Sequence, residues 1–183
     1  MGGRRVRRLR AGAGKREGSS VNTTREGDVD VDTKAAASME IIELGARTCA
    51  HWWAGFLREG ALLDNGDKSP NAPIIQTMAH RLQEMERKGL TPEAIDRFET
   101  VLAELITKKA KATIARGWLS PVCTYVDYDP DMPLRDALEV VGIKGTKCLL
   151  PWKTGAWLFL DDGHVEAKLG YGGDTIRLGP LSA

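Results

Sequence analysis

The sequence predicts an α+β protein. An N-terminal three-helix region is followed by a short helix and a small, mainly antiparallel β-sheet containing a type I′ hairpin. Three observations lead there. Apolar residues recur at three- and four-residue spacing from Ser38 to about Gly117, as in helices packed on one face. After that the runs turn short, β-branched and aromatic, divided by Gly, Pro and Asp. Finally, Asp162-Gly163 sits between two such runs.

Residues 1–37 form a basic tail, expected to be disordered. Arg4, Arg5, Arg7, Arg8 and Arg10 precede the first acid, Glu17, and large apolar residues are nearly missing. Such a segment cannot offset its ordering entropy. It lacks the apolar centre of a secretory signal. Two readings stand: a solvated extension, or an arm whose guanidiniums bind nucleic-acid phosphates.

Ser38 is placed to cap a first helix carrying Ile41, Gly45, Thr48, Cys49, Trp52 and Phe56, with Ile42, Trp53 and Leu57 alongside. Gly60 is its expected stop. Asp64 to Pro70 reads as a turn. A second helix aligns Ile74, Met78, Leu82 and Met85 into an apolar stripe. Thr91-Pro92-Glu93 opens a third, with Ile95, Phe98, Leu102 and Leu105 inward. Lys108, Lys109, Lys111 and Arg116 crowd its end. They either complement the helix dipole or add a phosphate-facing patch. Residues 38–117 are thus the helical region, 118–183 the mixed region, and 38–183 one domain.

Val122 to Tyr128 reads as a strand, Asp129 to Pro133 as a turn, and Leu134, Ala137, Leu138 and Val141 as a short helix ended by Gly142. In the hairpin a two-residue turn would pair Leu160 with Val165, Phe159 with Glu166 and Trp157 with Lys168. Leu158, Leu160, Val165 and Ala167 then face the core. Trp157, Phe159, Glu166, Lys168 and His164 face outward. Large aromatics among charges suit a contact surface; packing within the chain, or a Trp157–Lys168 cation–π pair, is the competing explanation. Thr175 to Leu178 reads as a last strand.

The chain has 183 residues, 26 Lys and Arg against 25 Asp and Glu, 42% hydrophobic and 28% charged. The balance excludes a uniformly basic nucleic-acid binder and a uniformly acidic mimic. The other values suit a globular domain. No run of roughly 18 uncharged apolar residues offers a membrane span. Cys49, Cys123 and Cys148 are dispersed, as small buried hydrophobes in a reducing compartment would be. A Cys123–Cys148 disulfide is the alternative.

Catalytic signatures are missing. Asp127, Asp129 and Asp131 have calcium-loop spacing, but Met132 replaces the glycine and Leu138 the closing glutamate. Cys49 and His51 point in different directions on a helix. Gly170-Tyr171-Gly172-Gly173 lacks the following Lys-Ser/Thr of a phosphate loop. No metal, cofactor or catalytic residue is expected.

Three segments, Asp64 to Pro70, Pro151 to Trp157 and Gly170-Tyr171-Gly172, resemble small accessory proteins of bacteriophages and prophages over residues 38–178. The resemblance implies stoichiometric binding to a host protein in the bacterial cytoplasm, such as a defence nuclease. The expected function is a non-enzymatic binding protein contacting its partner through Trp157, Phe159, Lys168, Trp152 and Lys153. The alternatives are nucleic-acid binding through the arginine arm and Lys108, Lys109 and Lys111, or an unrecognised enzyme.

Overall fold

The computed structural model describes residues 36–60, 72–144, 149–170 and 172–179, without the side chains of 72–76 and 79. The arginine arm and the turn expected at Asp64 to Pro70 lie outside these residues. The described chain is α+β. It contains α1 (Met39–Glu59), α2 (Ala72–Arg87), α3 (Pro92–Ile114), β1 (Val122–Val126), α4 (Met132–Val140), β2 (Thr154–Leu158), β3 (Val165–Lys168) and β4 (Thr175–Leu178). The strands lie in chain order in one antiparallel sheet. No described helix is long and apolar enough to cross a membrane.

Polar side chains start three helices. Ser38 accepts the Ile41 amide at 3.5 Å, Thr91 the Ala94 amide at 3.2 Å, and Asp131 the Leu134 amide at 3.5 Å. Each satisfies a donor that the first helical turn leaves without a partner. Asp131 therefore serves as a cap, and its amide in turn donates to the Tyr125 carbonyl at 2.9 Å.

The core lies between the sheet and the pair α1 and α3. Ile42, Trp53 and Leu57 of α1 meet Phe98, Leu102 and Ile106 of α3, with Leu134 and Leu138 of α4. Val122, Ala156, Leu158, Val165 and Ala167 complete it from the sheet. Gly45 allows α1 to approach closely. A Cβ there would sit 2.4 Å from Leu158 Cδ1 and 2.6 Å from the Gly163 carbonyl oxygen. Trp53 Nε1 donates to Thr124 Oγ1 at 2.9 Å inside the core. Of the wide stripe expected on α1, Ile42, Gly45, Thr48, Cys49, Trp53 and Leu57 are buried and Trp52 and Phe56 half-buried, while Ile41 is exposed.

The hairpin register differs by two residues from the expected one. Trp157 pairs with Glu166 and Leu158 with Val165, and the Phe159 amide donates to the His164 carbonyl at 3.0 Å. The loop holds four residues, Leu160 to Gly163, instead of Asp162-Gly163 alone. Leu160 is buried, and its carbonyl accepts the Ala37 amide at 2.9 Å. Asp162 Oδ1 accepts the His164 amide at 3.1 Å. Gly163, at φ 74, closes the loop with a 2.9 Å bond to the Phe159 carbonyl. A two-residue Asp162-Gly163 turn would pair Asp161 with His164 instead and would lack the Gly163 to Phe159 bond. Because the shift is even, each side chain keeps its expected face.

The stripe on α2 does not pack inward: Met78, Leu82 and Met85 are exposed. α2 meets α1 through its polar side instead. Arg87 donates to the Glu59 carbonyl at 2.9 Å and to the Arg58 carbonyl. Those are last-turn carbonyls of α1, which need partners from outside their helix.

Candidate functional site

The outward sheet face is built by strand alternation. β1 contributes Cys123 and Tyr125, β2 Gly155 and Trp157, and β3 Glu166 and Lys168. Gly155 pairs with Tyr125 on one side and Lys168 on the other. A Cβ on Gly155 would lie 3.1 Å from the Trp157 ring. The indole therefore lies across Gly155, toward the row holding Tyr125 and Lys168. Trp157 is half-buried by this arrangement.

Trp152 and Lys153 precede β2 and join residues that sequence reasoning left out. Tyr128, in the turn after β1, places its ring 5.9 Å from that of Trp152. Tyr128 is 76% exposed, Tyr125 48% and Trp152 42%. Lys153 Nζ lies 5.2 Å from the Tyr128 ring centre and 5.4 Å from that of Trp152, and pairs with Asp127. Lys153, rather than Lys168, thus makes the cation–π contacts of this face. Its φ of 54 puts it in the left-handed region, which costs a side-chain-bearing residue about 1–2 kcal/mol. The neighbouring turn is tied down by Thr154 Oγ1 donating to the Trp152 carbonyl at 3.2 Å.

The expected contact residues therefore split. Trp152 and Lys153 form one aromatic cluster with Tyr128. Trp157 and Lys168 belong to the sheet face beside Tyr125. Phe159 is engaged elsewhere, stacked on His164 with ring centres 4.2 Å apart and planes at 6°. β1 ends at Val126, and the bridge from Val126 to Pro130 puts Tyr128 in the turn between them instead of in the strand expected to run on to it.

No protein-family model matches the chain, and no curated protein matches it in sequence.

The three lysines of the nucleic-acid alternative do not share one surface role. Lys109 donates to the Cys123 carbonyl at 3.1 Å, Lys111 pairs with Glu43 at 3.2 Å, and Lys108 lines a groove between α1 and α3. Arg4, Arg5, Arg7, Arg8 and Arg10 lie outside the described residues.

The cysteine and metal chemistry is also placed. Cys49 and Cys123 are free thiols. Burial pushes Cys49 up to about 12 and Cys123 up to about 11, so neither is a thiolate at neutral pH. Cys49 lies 3.4 Å from Thr124 Oγ1, within the core. Asp161, Asp162 and His164 bring possible ligand atoms within 4.8 Å of one another. The turn already uses these groups: Asp162 Oδ1 contacts both the amide and Nδ1 of His164, the latter at 2.5 Å. The hydrogen bond from His164 holds the Asp162 carboxyl below its usual range.

Proposed function

We propose that the chain is a non-enzymatic binding protein that holds a partner protein against Tyr125, Tyr128, Trp152 and Lys153, with Trp157 beside them. The observation that supports this is the exposed Tyr128–Trp152 pair gathered around one cation. Aromatic rings lose little rotamer freedom on contact and bury large areas, so such clusters act as anchors. The left-handed Lys153 adds to the argument, because strain of this kind persists where a particular side-chain placement is held by its surroundings.

The resemblance to phage accessory proteins supplies the proposed setting. The partner is a bacterial host protein, bound stoichiometrically in the cytoplasm, and the contact needs no cofactor. Phe159 leaves the anchor set, since its face is covered by His164.

The test compares affinity capture from bacterial lysate by the full chain and by Tyr128→Ala, Trp152→Ala and Trp157→Ala, with thermal unfolding of each. Tyr128→Ala and Trp152→Ala should lose the captured protein and unfold within about 1 kcal/mol of the parent, as exposed substitutions do. Unchanged capture by both variants would remove this surface from the proposal. A large stability loss in Trp157→Ala alone would make that residue a structural cover for Gly155.

A further inference from the structure

A second site lies on α1 and α3, apart from the sheet's outward face. α1 presents Glu43, Arg47, His51 and Arg58, and α3 answers with Asp96, Glu99, Glu104, Lys108 and Lys111. Between them runs a groove of about 840 Å³, within the usual size of small-molecule sites. Ion pairs close both ends. Lys111 meets Glu43 at 3.2 Å at one end. At the other, Arg58 holds Asp96 at 2.9 Å and Glu99 at 2.5 Å.

The middle is unlike the ends. Arg47 on α1 and Lys108 on α3 line it with no ion pair among the described residues. With Arg58 and Lys111 engaged by carboxylates, Arg47 and Lys108 are the groove cations without an ion pair among the described residues, and one anion can meet both beside the Glu104 carboxylate. Arginine and lysine together suit an oxyanion with several acceptor oxygens.

His51 adds direction. Its Nδ1 lies 2.9 Å from Glu99 Oε1, and Glu99 is itself clamped by Arg58. A carboxylate accepting from Nδ1–H fixes the ring and leaves Nε2 as an acceptor in the neutral imidazole. Glu104, also without an ion pair among the described residues, adds a second acceptor. Thr100 directs its hydroxyl proton to the Asp96 carbonyl at 3.0 Å, leaving oxygen lone pairs at the wall. The groove thus offers two cations for an anion and several acceptors for hydroxyl groups.

We propose that this groove binds a small phosphorylated sugar, with the phosphate between Arg47 and Lys108 and sugar hydroxyls donating to His51 and Glu104. The site holds its ligand without a chemical step.

The experiment titrates the isotope-labelled full chain with ribose 5-phosphate and follows backbone amide shifts. Ribose, inorganic phosphate and succinate serve as comparison probes. Ribose 5-phosphate should move amides near Arg47, His51, Glu104 and Lys108, and bind more tightly than the three comparison probes. Arg47→Gln and Lys108→Gln should each weaken it about tenfold, the value of one charge-assisted contact. Arg97→Gln, on α3 but outside the groove, should leave it unchanged, and Arg47→Lys should keep most of the affinity. His51→Ala should weaken ribose 5-phosphate while leaving inorganic phosphate nearly unaffected. No shifts in the groove, equal binding of succinate, or affinity insensitive to both Gln variants would each overturn the proposal. Circular dichroism of every variant separates lost binding from lost fold.

Discussion

Trp53 and Thr124 join α1 to the edge strand β1 through a buried hydrogen bond of 2.9 Å. Thr124 Oγ1 also lies 3.3 Å from the Ala156 carbonyl and 3.4 Å from Cys49 Sγ. One hydroxyl therefore serves α1, β1 and β2 together.

Thr124→Val keeps the shape of this node and removes its oxygen. The Trp53 N–H is then buried without an acceptor, at a cost of about 1–3 kcal/mol. Thr124→Ser keeps the oxygen and loses one methyl, about 1 kcal/mol. Urea denaturation of both variants should rank valine as the more damaging. A serine variant less stable than the valine one would show that packing, not the hydrogen bond, dominates here.

Gly45→Ala sets two effects against each other. Alanine gains about 1 kcal/mol over glycine within a helix. The added methyl meets the Gly163 carbonyl oxygen at 2.6 Å, and that backbone cannot step aside without moving the hairpin loop. Overpacking of this type costs about 1–3 kcal/mol or more. We expect a net loss of about 2 kcal/mol, read as a lower melting temperature. Gly55, whose added Cβ meets nothing within 4 Å, is the internal control. Gly55→Ala should be neutral or stabilising.

Asp131 gives a pH signature. Burial raises its carboxyl from the ordinary 3.8 to about 6, against the opposing pull of Lys109. The folded chain therefore binds the proton more tightly than the unfolded chain. Between about pH 4 and 6 the folded state holds more protons, so this group's contribution to stability falls as pH rises. Asp131→Asn retains a cap and removes the buried charge. It should raise stability at pH 7 by about 1 kcal/mol, after allowing for solvent screening. The gain should vanish near pH 4. Denaturation midpoints at the two pH values check both the sign and the window.

Local chemistry made much of this architecture readable. Ser38, Thr91 and Asp131 stand where short polar side chains relieve helix starts, and each caps one. Alternation placed Leu158 and Val165 inward and Trp157 and Lys168 outward despite the wrong register, because faces repeat every two residues. The register itself was hidden. Asp-Gly favours a tight turn locally, whereas the bonds between Phe159 and Gly163 and between Phe159 and His164 belong to the longer loop. The stripe of Met78, Leu82 and Met85 shows another limit: periodicity finds an apolar face but cannot say what meets it. The aromatic cluster was half visible. Trp152 and Lys153 stood out by composition, but Tyr128 joins them only through the turn that links Val126 to Pro130. The α1–α3 groove was invisible, since it depends on which residues of two distant helices come face to face.

The contact of Gly45 with Gly163 also governs when the molecule can acquire its structure. α3 covers part of α1, but its remaining partners, Leu158 and the Gly163 loop, are supplied by the hairpin, far along the chain. On a ribosome adding about 5–20 residues per second, the first helix emerges seconds before the loop that must seat against it. During that interval Ile42 and Trp53, fully buried at the end, have no sheet to cover them. Such long-range closure slows folding relative to a bundle of local contacts. The newborn helix is thus an apolar surface waiting for its lid, and chaperone demand should fall on this early stage of synthesis.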